Sequence, residues 1–224
     1  MIFYKYSPYP IFSIFLFLGF DGFQIQLDLM RNIKSILIFL FSIEHLINNK
    51  NMRYLILNIL SCNLHRGSLI YLLVGYFLKK DFYKHKKIIL TLFLFGILFL
   101  IFSNEILYKI LDFIKSILIN LDLKVFERIY YKLNYYLNND YSAVRKLGIG
   151  FVERIFTFIL FYYYREKINK NKYGKIFFNV YLLYVFTYLY GSGVRIIFER
   201  IGLLFICSYW ILYPIVLKNT SKIK

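Results

Sequence analysis

The sequence has few of the residues that interrupt or cross-link helices. It contains 3 prolines, 11 glycines and 2 cysteines in 224 residues. So few cysteines exclude a disulfide-stapled fold. Cys62 and Cys207 both lie in apolar runs, which indicates small buried side chains and not metal ligands. No Pro-, Gly- or Ser-rich linker divides the chain, so we expect a single domain over residues 1–224.

Acidic residues and catalytic signatures are also scarce. The chain has 12 acidic residues and 29 Lys and Arg, which gives a net charge of +17. The sequence has no phosphate-binding loop, no His-Glu-x-x-His and no Gly-x-Ser-x-Gly, so we expect no nucleotide and no metal cofactor. Because the lysines cluster in short loops between apolar runs, they indicate membrane topology and not a nucleic-acid partner.

Apolar residues, by contrast, are abundant. They make up 59% of the chain, aromatic residues make up 22%, and the mean hydropathy is +0.55. A soluble domain of this length could not bury that much apolar surface. We therefore predict an all-α polytopic integral membrane protein with about seven hydrophobic segments and a retained first span. The segments are Tyr9–Phe23, Ile33–Ile47, Tyr54–Leu78, Ile88–Phe102, Ile149–Tyr164, Ile176–Tyr190 and Ile201–Leu217.

The basic loops predict the orientation of these segments. Residues 79–87, 165–175 and 218–224 are rich in lysine, so we expect them and the C-terminus on the cytoplasmic side of the cytoplasmic membrane. Residues 104–148 then lie outside, with an amphipathic helix over Ile106–Leu121 and a Tyr-rich loop after it. Tyr141 and Arg145 in that loop suit a sugar ring and its hydroxyls, although an interfacial aromatic belt explains the tyrosines as well.

The segment Tyr54–Leu78 is interrupted by polar residues at its middle, Leu64-His65-Arg66-Gly67-Ser68. An arginine at mid-membrane must face water, protein or an anion. One interpretation is a re-entrant hairpin whose tip carries His65 and Arg66, and the other is a continuous helix whose His and Arg pair with a neighbour. The hairpin also puts the basic loop 48–53 on the cytoplasmic side, because both ends of the segment then lie on one face.

A second polar cluster precedes the last segment, at Gly191–Arg200. Arg195 and Glu199 are four residues apart and share a helix face. They form either an ion pair at the membrane interface or, with Arg200, a clamp for phosphate or diphosphate. Arg31 opens the second segment on the same predicted outer side.

These residues resemble the EpsG family of Wzy-like polysaccharide polymerases. The family has an Arg-led segment, a short basic loop and an apolar run ending close to Phe-His-x-Ser-Ala-Leu-Ile; here Arg31–Tyr71 ends in Leu64-His65-Arg66-Gly67-Ser68-Leu69-Ile70. Asn179–Leu217 resembles the family's ending, with Arg195, Arg200 and Pro214 in the corresponding places. Family members have more segments before the Arg-led one, so we expect a chain that is short at its N-terminus.

The resemblance implies polymerisation of undecaprenyl-diphosphate-linked repeat units on the outer face of the membrane, with the lipid-linked glycan, the bilayer and other polysaccharide-export proteins as partners. It implies that Arg31, Arg66, Arg195 and Arg200 bind diphosphate, that His65 or Glu199 is the base, and that Tyr141 and Arg145 bind the sugar. Two alternatives remain open: a non-catalytic flippase component and an inactive truncated remnant.

Overall fold

The structure, a computed structural model, describes residues 2–20, 30–102, 148–191 and 200–220, together with positions 109, 112–113, 116–117 and 131. Every regular element in this part of the chain is helical, as predicted. The elements are α1 (Ile2–Tyr6), α2 (Pro10–Gly19), α3 (Met30–Ile47), α4 (Asn51–Leu64), α5 (Ile70–Leu78), α6 (Lys86–Phe102), α7 (Ile149–Tyr163), α8 (Arg165–Asn169), α9 (Gly174–Gly191) and α10 (Cys207–Thr220), with 3-10 turns at Arg66–Leu69 and Phe82–Lys84. Among these residues, no helix has both the length and the apolar character required to cross a membrane.

The N-terminal segment predicted over Tyr9–Phe23 is helical where the structure describes it, up to residue 20, and a short helix precedes it. Its main helix, α2, covers Pro10–Gly19, and the short α1 folds back along it. The ring of Phe3 in α1 lies 6.1 Å from that of Phe17 in α2, and both contact Trp210 of α10. The Tyr6 hydroxyl donates a hydrogen bond to the Leu40 carbonyl, 2.7 Å away, and so ties α1 to α3.

Helices α3 and α4 pack as an antiparallel pair held by buried polar side chains. A tight turn joins them, and Asn49 adopts a positive φ of 57°, a conformation that asparagine tolerates well. The hydroxyls of Ser35 and Ser61 lie 2.5 Å apart, and the Asn58 amide donates to the Ser42 hydroxyl at 2.9 Å. These two contacts fix the register of the pair.

The segment Tyr54–Leu78 is a helical hairpin, not a continuous helix. Helix α4 ends at Leu64, and α5 runs back along it after the 3-10 turn. The Tyr54 hydroxyl donates to the Tyr71 carbonyl at 2.5 Å, and the Tyr54 ring packs so closely on Gly75 that no side chain would fit there. At the open end, Lys79 donates to Asn49 and Asn51 at 3.0 and 2.7 Å. Both ends of the segment therefore lie together, as the predicted hairpin requires.

The loops that are rich in lysine assemble at one end of the bundle, which we call the basic end (residues 48–53, 79–87 and 165–175). Asp81 pairs with Lys175 at 2.6 Å and with Lys84 at 3.0 Å. The pKa of the Asp81 carboxyl therefore lies below its ordinary value, chiefly because Lys175 and then Lys84 donate hydrogen bonds to it. The buried amide of Asn179 adds two hydrogen bonds to the carbonyls of Leu78 and Lys80.

A few polar side chains lie within the largely apolar interior of the bundle, and apolar side chains also cover much of its outside. Ser35, Asn58 and Ser61 are fully buried. Large apolar side chains on the outer faces of α4, α6 and α7 are exposed, among them Ile56, Ile59, Leu60, Leu94, Phe95, Leu98, Phe156 and Ile159. Helix α3 also carries two charged side chains within its apolar stretch: Glu44 pairs with Lys5, whereas Lys34 has no ion-pair partner among the described residues.

Candidate functional site

The register of α3 and α4 places Arg31 beside His65 at the end opposite the basic end. Arg31 precedes Ser35 by four residues, and His65 follows Ser61 by four. Because four residues are about one helical turn, both side chains lie about one turn beyond the Ser35–Ser61 contact. Two residues that are 34 positions apart in the sequence thus meet at the same level of the bundle.

Tyr71 connects the start of the last segment to the hairpin, near the end of the bundle where Arg31 and His65 lie. Its hydroxyl donates to the Leu204 carbonyl at 2.8 Å, and its ring packs against that of Phe205. On its other side the Tyr71 ring stacks on Phe39 of α3, with the centroids 4.0 Å apart. Arg200 lies one turn before Leu204, and so is carried towards the hairpin tip.

Arg31, His65 and Arg200 form what we call the cationic cluster. The guanidinium charges of Arg31 and Arg200 are both close enough to act on the imidazole of His65. None of the three side chains makes a hydrogen bond or an ion pair with another described residue, and no carboxylate of the described part faces them. Positive charge is therefore concentrated here without an internal counterion in the described part of the chain, which is the arrangement of a site for an anion.

The hairpin tip holds the His65 backbone in a defined position, with the ring over Gly67. His65 has an extended backbone between α4 and the 3-10 turn, and its carbonyl accepts hydrogen bonds from the backbone N–H and the hydroxyl of Ser68, at 3.0 and 2.6 Å. The ring folds over Gly67, where a Cβ atom would lie only 2.5 Å from Nε2. Glycine at position 67 is thus required for this position of the imidazole.

The remaining predicted site residues are not part of the cluster as described. Arg66 begins the 3-10 turn with an exposed side chain that makes no hydrogen bond or ion pair with a described residue of the cluster. Arg195, Glu199, Tyr141 and Arg145 lie outside the described residues, as do the amphipathic helix and the Tyr-rich loop almost entirely. Within the described residues, no group of three or more His, Cys, Asp or Glu is placed to hold a metal ion.

The structure also shows a polar site that the sequence analysis overlooked, on α7. The Arg154 guanidinium donates to the Tyr184 hydroxyl at 3.2 Å and lies 4.2 Å from the centre of the Tyr188 ring. Glu153 accepts a hydrogen bond from Thr157 at 2.9 Å. The sequence does contain a feature that indicates this site, because Glu153-Arg154 is an adjacent charge pair inside an otherwise apolar run.

Comparison with known proteins identifies the family. The model of the EpsG family, whose members are membrane-associated and serve polysaccharide biosynthesis, matches residues 1–224, the whole chain. No curated protein and no solved structure shows a significant match. The family match confirms the resemblance seen in Arg31–Tyr71 and Asn179–Leu217. This chain belongs to the EpsG family.

Proposed function

We propose that the protein is a polytopic protein of the cytoplasmic membrane that polymerises undecaprenyl-diphosphate-linked repeat units into surface polysaccharide. Family membership supports a role of the polysaccharide-polymerase type. The observation that carries the proposal is the cationic cluster, in which three distant parts of the sequence bring Arg31, His65 and Arg200 together.

The chemistry of glycosyl transfer from a lipid diphosphate needs such a cluster. The donor is already activated: as the acceptor oxygen bonds to the anomeric carbon of the donor sugar, the bond from that carbon to the diphosphate oxygen breaks, and polyprenyl diphosphate leaves with the negative charge. Guanidinium groups fixed at the leaving oxygens stabilise that charge in the transition state, and their planar forks match phosphate oxygens. Arg31 and Arg200 take this role, and Arg66 at the exposed tip is a further phosphate ligand.

His65 is the proposed base. Its imidazole is the only side chain of the cationic cluster that can accept a proton from the acceptor hydroxyl. The Ser68 bonds hold the backbone carbonyl of His65, and its ring lies over Gly67 before substrate arrives. Such preorganisation favours proton transfer in a single defined geometry.

The exposed apolar side chains of α4, α6 and α7 support a position within the bilayer, since a soluble monomer rarely shows such continuous apolar surface. The assembly of the lysine-rich loops at one end supports a cytoplasmic location for the basic end. The cationic cluster, at the opposite end, then faces the outer leaflet, where lipid-linked repeats are polymerised.

Complementation in a strain that lacks this chain tests the proposal. Cells would receive the intact chain, His65→Ala or the matched control His85→Ala, which removes an exposed histidine at the basic end. We expect the His65 variant, but not the control, to lose long polymer and to accumulate single lipid-linked repeats on the outer face. Repeats stranded on the inner face would indicate a flippase, and no change in any strain would indicate an inactive remnant.

A further inference from the structure

An apolar groove runs along α3, and one of its ends lies at the level of the cationic cluster. It has a volume of about 440 Å³ and lies between α1, α2, α3 and α10. Its walls include Phe3, Phe17, Ile33, Leu37 and Trp210. This volume falls in the range of about 300–1,000 Å³ that is typical of small-molecule sites.

One end of the groove lies at the level of the cluster along α3. Met30, the residue next to Arg31, lies at one end of its lining on α3, and Leu40 lies at the other. At 1.5 Å per residue, these ten steps correspond to about 15 Å of helix. The groove therefore leads from the level of Arg31 towards the middle of the bundle.

One charged side chain, that of Lys34, lines this otherwise apolar groove. Lys34 follows Arg31 by three residues and so lies on a neighbouring part of the helix surface, near the same end. It makes no ion pair with a described residue, and its side chain is exposed. A cation at the mouth of an apolar channel is complementary to a chain that carries an anionic head.

We propose that this groove holds the first isoprene units of the polyprenyl chain while the cationic cluster holds its diphosphate. Lys34 makes the groove selective for an anionic lipid over a neutral one. The groove accommodates only part of a long chain, and the rest extends into the bilayer. This inference rests on the proposed function, because that function supplies the diphosphate at the cluster.

Trp210 provides a built-in reporter of the groove, because it is the only tryptophan of the chain and lies in the groove wall. The intact purified chain would be titrated with a polyprenyl diphosphate that is brominated along the chain, since bromine quenches tryptophan fluorescence at contact distance. We expect saturable quenching of Trp210. Unlabelled polyprenyl diphosphate should reverse it.

A pair of identical substitutions provides the structural control. Leu37→Phe adds a ring to the groove wall, whereas Leu55→Phe makes the same change on α4, away from the groove. We expect Leu37→Phe to weaken binding of the brominated lipid about tenfold, the loss that corresponds to about two methylene groups no longer buried. Leu55→Phe should bind as the unmodified chain does.

Inorganic diphosphate separates failure of the groove from failure of the proposed function. If inorganic diphosphate binds, and binding needs Arg31 and Arg200, but the brominated lipid leaves Trp210 unquenched, the groove proposal is wrong and the head-group site stands. If neither ligand binds, the proposed function itself fails. Equal quenching by brominated phosphatidylglycerol would show that the groove takes ordinary acyl chains, which would also overturn the proposal.

Discussion

Gly67→Ala tests whether the position of the His65 imidazole matters for activity. The alanine Cβ would lie 2.5 Å from Nε2 and 3.1 Å from Cδ2, whereas ordinary contacts begin near 3.4 Å. The ring must therefore withdraw by about 1 Å. Misplacement of a catalytic group by that distance can reduce the rate about 100-fold. No charge is removed, so the expected loss is one of geometry alone.

The same substitution should leave the fold intact. No described glycine has a positive φ, so alanine is compatible with the backbone at position 67 and restricts the unfolded chain slightly. The assay is polymer length and the rate of repeat-unit consumption in membranes with matched protein levels. Gly19→Ala is the matched control, because nothing lies within 4 Å of the added methyl group there. Normal polymer from the Gly67 variant would refute the role assigned to the imidazole position.

Three further substitutions test the contacts that position the cluster and the basic end. Asn179→Leu leaves two carbonyls at the end of α5 without their donor, and should lower the free energy of unfolding by about 1–3 kcal/mol in a denaturant titration; unchanged stability would contradict this role. Tyr71→Phe removes the bond to the Leu204 carbonyl and should cost about 1 kcal/mol and weaken diphosphate binding; full binding would mean that this bond does not seat the last segment. Asp81→Asn should lower the Tm at pH 7, because the pKa of this carboxyl is depressed by Lys175 and a second lysine. A depressed pKa stabilises the folded state above the unfolded pKa of about 3.9 and loses that effect as the pH falls through the folded value. The difference in Tm should therefore shrink in acid, and a constant difference down to pH 2 would contradict the assignment.

The hairpin could be predicted from the sequence because its signals are local. A polar His-Arg-Gly-Ser stretch interrupts the apolar run Tyr54–Leu78, and short basic loops flank it on both sides. Charge patterning favours an arrangement with both flanks on one face, although it left the continuous helix open. The structure adds the Tyr54–Tyr71 bond that closes the hairpin, which no periodicity could have revealed.

The meeting of Arg31, His65 and Arg200 could not be predicted from the sequence, although each residue was singled out. It depends on the register of α3 and α4, which buried Ser and Asn pairs determine. It also depends on the bond from Tyr71 to Leu204, which spans 133 residues. Contacts of this kind are long-range consequences of packing and leave no periodic signal.

The site around Arg154 was missed for a different reason. The pair Glu153-Arg154 is visible in the sequence, but its partners Tyr184 and Tyr188 lie 30 or more residues away and resemble the many other tyrosines of the chain. A composition of 23 tyrosines hides those that make specific contacts. Only the packing of α7 against α9 distinguishes them.

A double-mutant cycle on lipid diphosphate binding tests the central claim most directly, namely that Arg31 and Arg200 hold one anion. Dissociation constants of polyprenyl diphosphate would be measured for the intact chain, Arg31→Gln, Arg200→Gln and the double variant. We expect each single change to weaken binding about 10- to 150-fold, since hydrogen bonds to charged groups contribute about 1.5–3 kcal/mol. The loss of binding free energy in the double variant should be smaller than the sum of the two single losses, and the difference, the coupling energy, should be about 0.5–3 kcal/mol. Strictly multiplicative effects, or undiminished binding in either single variant, would contradict a shared site.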